Sequence, residues 1–140
     1  MENTLILYDN DFIEIKDILE TISKVVSNSR LHNINNEFDD VDNYSNIIVA
    51  ISENNFNLYK CLKDYDINFE NKKLIITYIG NVNEDVIKSI NEIKEITKKS
   101  NLYYYFINLD YKRYENIINA GNNINKYIEI NKRSKKRSIR

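Results

Sequence analysis

The stretch Thr4–Asp11, TLILYDND, decides the fold of this chain. Its apolar residues, Leu5–Tyr8, form a short continuous run that predicts a strand buried on both faces. Three polar residues follow, and an amphipathic helical pattern begins directly after them. A buried strand that leads through a turn into a helix is how a parallel α/β sheet opens. Because ligands bind such sheets at the carboxyl ends of the strands, Asp9, Asn10 and Asp11 are the first candidates for a binding site.

Residues 12–27 carry the pattern of the first helix. Apolar side chains recur there at a spacing of about 3.6 residues, and charged residues cover the other side. Asp11 and Glu14 have the spacing of a capping box, with Asp11 as N-cap and Glu14 at the third helical position.

Further strands and helices alternate along the rest of the chain. Strands are predicted at Asn46–Ser52, Lys72–Tyr78 and Leu102–Ile107, which are continuous apolar runs. Helices are predicted from Phe56 to about Tyr65, after Asn83 as N-cap, and at about 111–130. Residues 29–44 are ambiguous: Arg30–Ile34 has the composition of a short strand, and the acidic residues beyond it favour a loop with at most one helical turn.

This alternation predicts an α/β fold, a three-layer αβα sandwich around a parallel five-stranded sheet. Right-handed crossovers restrict the topology, and the strand order 2-1-3-4-5 is the leading candidate. The length of 140 residues suits one domain, which we place at residues 1–131.

Cysteine and histidine usage excludes several kinds of site. The single Cys61 cannot form an intramolecular disulfide, and one cysteine with one histidine does not make a typical structural zinc site. We interpret Cys61 as a core thiol and His32 as a surface or loop residue. No apolar run approaches the roughly 20 residues of a membrane span, and the N-terminus has no secretory pattern, so we expect a cytoplasmic protein.

Charge is unevenly distributed along the chain. Residues 132–140 contain six basic residues and no acidic one, whereas residues 1–131 contain 14 basic and 21 acidic residues, a net charge of −7. The segment 132–140 is predicted to be a disordered basic tail. It is also the only feature that points to nucleic acid or an anionic membrane, and we do not favour nucleic acid as a partner.

Three stretches resemble the flavodoxin family. TLILYD at residues 4–9 resembles its opening strand, DNYSNIIVAIS at residues 42–52 resembles its third strand, and NFENKKLIITYIG at residues 68–80 resembles its fourth. The resemblance covers about residues 1–130. It implies the flavodoxin-like fold, binding of flavin mononucleotide (FMN), and electron transfer with a redox or other protein partner.

The resemblance also implies where FMN would be held. The first loop normally wraps the phosphate, the second supplies an aromatic side chain that stacks on the flavin ring, and the third approaches the ring through a glycine. Here the first loop contains two carboxylates and no glycine, serine or threonine, so it is a degenerate phosphate loop. The cofactor-binding residues implied in the three loops are Asp9, Asn10, Asp11, Ser52, Asn54, Asn55, Phe56, Gly80 and Asn81.

Two other functions remain open on the same fold. The first is a cofactor-free protein-interaction module, which an acidic, asparagine-rich set of loops also suits. The second is a receiver-like signalling domain, in which Asp9 and Asp11 would form a magnesium-binding pair. The third strand ends in Ser52-Glu53 and offers no phosphoacceptor aspartate, so such a domain would be unable to accept a phosphate.

Overall fold

A computed structural model describes seven ranges of the chain: residues 3–9, 13–34, 41–52, 72–79, 84–96, 101–107 and 114–138. The strands are β1 (Thr4–Tyr8), β2 (Ser29–Asn33), β3 (Asn46–Ser52), β4 (Lys73–Ile79) and β5 (Asn101–Ile107). The helices are α1 (Ile13–Val25), α2 (Glu84–Ile96) and α3 (Tyr114–Ser138), and a single 3₁₀ turn covers Val41–Asn43. A helix follows β1, β4 and β5 as the hydrophobic pattern predicted. Between β2 and β3 only the 3₁₀ turn is described, and residues 53–71 between β3 and β4 lie outside the described ranges.

All described strand pairs are parallel. β1 lies between β2 and β3, with Leu7 opposite His32 on one side and Val49 on the other, and β3 in turn pairs with β4. The predicted order is therefore confirmed for β2-β1-β3-β4. The backbone of β5 pairs with β4 along the whole of Lys73–Ile79.

The central strands are buried on both faces, which explains why they consist of continuous apolar runs. Successive side chains alternate between two clusters. One cluster joins the sheet to α1 and α3 and includes Ile6, Ile48, Ile75, Leu19 and Ile124. The other lies on the opposite face and includes Leu7, Val49, Ile76, Tyr78 and, from α2, Ile90. Helices therefore cover both faces of the sheet.

The ambiguous segment after α1 is a strand. β2 pairs in parallel register with β1 and, among the described strands, lies at an edge of the sheet. His32, which we interpreted as a surface or loop residue, lies within this strand and is half-buried. Asn28 connects α1 to β2 with a φ of 55°, a left-handed conformation that asparagine tolerates better than most residues.

Helix boundaries differ from the sequence predictions mainly in α3. α1 begins and ends within the predicted limits, but the helical backbone of α3 continues to Ser138, well past the predicted end near residue 130. It therefore overlaps the segment 132–140 that we expected to be a disordered tail, and the domain limit at residue 131 stays a prediction. The predicted capping box and the predicted helix near Phe56 lie outside the described residues.

Candidate functional site

The carboxyl ends of β1, β3 and β4 lie at one edge of the sheet. Ser52, the last residue of β3, is opposite Ile79, the last residue of β4. β1 ends one residue beyond the Leu7–Val49 pair, whereas β3 continues three residues beyond it. β2 and β3 lie on opposite sides of β1, so the direction in which successive strands are added to the sheet reverses at β1. Such a switch point leaves a crevice at the carboxyl edge, where ligands of open α/β sheets bind.

Two of the predicted cofactor-binding residues belong to the described part of this edge. Asp9 follows β1 directly and is buried, with 5% of its surface exposed. Ser52 ends the neighbouring strand β3. The other seven predicted residues lie outside the described residues: Asn10, Asp11, Asn54, Asn55, Phe56, Gly80 and Asn81. Their part in holding a ligand stays a prediction.

Asp9 bears directly on whether this edge fits the phosphate of FMN. A carboxylate only accepts hydrogen bonds and repels an anion: two unit charges about 4 Å apart repel by ~1 kcal/mol in water and ~4 kcal/mol at an effective dielectric constant of 20. A phosphate monoester would need donors at the position of Asp9. The described end of β1 therefore does not fit a phosphate group.

The receiver-like chemistry is not assembled among the described residues. Within the seven described ranges, no group of three or more histidine, cysteine, aspartate or glutamate side chains could hold a metal ion. Thr77, the threonine nearest the end of β4, lies inside the strand with 1% of its surface exposed. Its hydroxyl points into the protein interior and has no hydrogen-bond partner in the described part of the chain.

A second polar site lies at the opposite, amino edge of the sheet, and it was not predicted. Thr4, Asn46 and Lys73 begin β1, β3 and β4 and lie side by side in register. All three are buried, with exposed fractions of 2%, 3% and 6%. The sequence signal was a polar residue at the start of each strand, to which we assigned no role.

Solved structures of two flavoproteins are similar to this chain. The crystal structure of the Fusobacterium nucleatum flavodoxin bound to flavin mononucleotide has a TM-score of 0.67 at 16% identity, over 91% of this chain and 99% of that chain. The NMR structure of the apo-form of a Lactobacillus acidophilus flavoprotein has a TM-score of 0.53 at 12% identity, over 81% of this chain and 97% of that chain. No protein-family description and no curated protein matches the sequence.

These similarities and the order β2-β1-β3-β4 show that the fold is flavodoxin-like, as the sequence resemblance implied. At this level of identity they establish the fold and not the activity. None of the described helices is long and apolar enough to cross a membrane.

Proposed function

We propose that this chain is a flavodoxin-like domain that binds FMN at the carboxyl edge of β1, β3 and β4 and passes electrons between protein partners in the cytoplasm. The observation that carries the proposal is the switch point between β1 and β3, where Asp9 and Ser52 reach the same edge. The similarity to a flavodoxin bound to flavin mononucleotide along 99% of that chain supports it. The proposed domain is residues 1–131, with the complete strand order 2-1-3-4-5.

In this proposal the flavin ring, rather than the phosphate, contributes most of the binding energy. Phe56 would stack on the ring, since it is the nearest match in the sequence to the family's aromatic residue, and Gly80 would allow the backbone to approach. Ser52, Asn54, Asn55 and Asn81 supply hydrogen-bond donors and acceptors around these contacts. Bound FMN would supply the electron-transfer chemistry, and the chain would orient it and shield it from water. Asp9 weakens the phosphate contact, so the affinity for FMN is lower than in a flavodoxin with serine or threonine there.

The buried carboxylate of Asp9 also favours a second candidate, a protein-interaction module without a cofactor. Residues 1–131 carry a net charge of −7, and an acidic domain of this kind suits a basic partner protein. In this alternative the residues after β1, β3 and β4 would form the contact surface. One simple measurement distinguishes the two candidate functions, namely whether the purified protein takes up flavin.

The absorption spectrum of the purified full chain distinguishes the two functions. We expect flavin absorption bands in the visible range after FMN is added and the protein is desalted rapidly. The measurement is repeated by equilibrium dialysis, because weak binding can be lost on a desalting column. A protein that stays colourless and also shows no FMN binding in dialysis would contradict the electron-carrier function and leave the interaction module.

A further inference from the structure

A cavity at the amino edge of the sheet lies on the side opposite the proposed FMN site. Its volume is about 350 Å³, and it opens between the starts of β1 and β3, the turn after α1, and α3. Eight residues line it: Asn3, Thr4, Ser27, Asn28, Asn46, Asn125, Ile128 and Glu129. Six of these side chains carry an amide or a hydroxyl group, and Glu129 alone is ionisable. The size lies at the lower end of the range of small-molecule sites.

The inner wall of the cavity holds a buried amide with unused hydrogen-bonding capacity. Asn46 Nδ2 donates to Thr4 Oγ1 at 3.3 Å, and both residues are almost fully buried. In the part of the chain that the structure describes, Asn46 Oδ1 has no hydrogen-bond partner. If the amide were turned the other way, Nδ2 would be the unused atom. Asn46 lines the cavity, and Thr4 takes only one of the two hydrogens on Nδ2, so Oδ1 and the second Nδ2 hydrogen are left for a ligand.

The rest of the wall is held in place by contacts between elements that are distant in sequence. Asn125 of α3 uses both ends of its amide: Oδ1 accepts from Ser27 N at 3.0 Å, and Nδ2 donates to Val25 O at 2.8 Å. Lys73 Nζ donates to Ile128 O at 3.3 Å and so ties α3 to the start of β4. A wall supported in this way is preformed, which reduces the entropy that binding would cost.

The chemistry of the lining selects the ligand. An anion would meet the carboxylate of Glu129, and a cation would find only that one acidic group among the eight lining residues. A planar amide presents a donor and an acceptor side by side, and it pairs best with an edge that carries the same two groups, as asparagine does with adenine. We propose that this cavity binds a small uncharged molecule with a planar amide-like edge, either a carboxamide or a nucleobase, through Asn46.

Nicotinamide and adenine represent the two sources of such an edge, and nicotinic acid is the matched control because its carboxylate replaces the carboxamide. Isothermal titration and ¹⁵N NMR on the full chain measure their binding. We expect nicotinamide or adenine to bind, with nicotinic acid about tenfold weaker or more. Binding of nicotinamide would identify a carboxamide as the ligand, and binding of adenine would identify a nucleobase. If neither probe binds at millimolar concentration, the proposal is wrong.

Asn46→Asp tests the residue that carries the proposal. The substitution keeps the shape of the side chain but removes its hydrogen-bond donor. The Thr4 hydroxyl can turn to donate to the new carboxylate, and Lys73, which lies beside residue 46 in register, carries the opposite charge. We expect about tenfold weaker binding, whereas the same change at exposed Asn91 on α2 leaves binding unchanged.

A second variant keeps the test decisive if Asn46→Asp does not fold. Ser27 is exposed and lines the cavity, so Ser27→Trp fills it without disturbing the core. We expect this variant to abolish binding of the probe while circular dichroism shows an unchanged fold. Binding that survives Ser27→Trp at full strength would place the ligand elsewhere and overturn the proposal. Because FMN is not used, the result is independent of the flavin experiment.

Discussion

Replacing Asp9 by Ser and Asp11 by Thr in one variant is expected to tighten FMN binding by about tenfold or more. The phosphate of FMN carries about −1.5 to −2 charges near pH 7 and accepts hydrogen bonds, so it is repelled by carboxylates and held by hydroxyl donors. Asp9 is buried after β1, where the repulsion is screened less than at the surface. Fluorescence titration with FMN measures the dissociation constants of both proteins.

Riboflavin provides the control for this variant, because it has the same ring without the phosphate. Its affinity should change by less than about twofold, so that the ratio of the two affinities isolates the phosphate contact. Asp17→Ser with Glu20→Thr removes two exposed carboxylates from α1 and should leave both affinities unchanged at physiological salt. Equal FMN affinity in the Asp9/Asp11 variant and the native chain would mean that the phosphate does not lie at this loop.

Gly121→Val in α3 is expected to lower the free energy of unfolding by about 3 kcal/mol or more, and Gly121→Ala by about 1–2 kcal/mol. A Cβ atom at residue 121 would lie 2.7 Å from Val25 Cγ1 and 2.8 Å from Val25 Cβ. A different rotamer of Val25 cannot move its Cβ, so α1 and α3 must separate. The gain in helix propensity from glycine to alanine, about 1 kcal/mol, offsets only part of this cost. Urea denaturation measures the changes.

Asn122 is the matched control, since it is the next residue in α3 and is exposed. Asn122→Ala should stabilise the protein by a few tenths of a kcal/mol, because nothing packs against the new side chain. Val25→Ala should recover part of the stability lost in Gly121→Ala, which a double-mutant cycle would show as coupling between the two sites. Full additivity of the two substitutions would contradict the close approach of α1 and α3.

The described central strands could be predicted from the sequence because both of their faces are buried. Burial on two faces requires continuous apolar runs, and β3 is found where the run Asn46–Ser52 predicted it. β2 was ambiguous because an edge strand is only partly covered: Arg30 is exposed and Leu31 is half-buried, so the apolar signal is weak. The end of α3 was missed because the last turns of that helix are basic and polar and have no apolar periodicity.

Of the two edges of the sheet, only the carboxyl edge could be identified from the sequence as a candidate site. The carboxyl edge could be located because strand ends are visible in the sequence, and Asp9 and Ser52 do reach that edge. The cavity at the amino edge could not be located, because it depends on register. Thr4 and Asn46 are 42 positions apart in sequence, and only the pairing of β1 with β3 brings their side chains together.

The position of FMN on the fold can be measured directly by titrating the ¹⁵N-labelled full chain with FMN and following its backbone amide resonances. Binding at the carboxyl edge predicts the largest shifts at Asp9, Ser52 and Ile79, with Thr4 and Asn46 at the opposite edge unchanged. Shifts confined to the amino edge, or a spectrum that does not change at millimolar FMN, would contradict a flavin site at the ends of β1, β3 and β4.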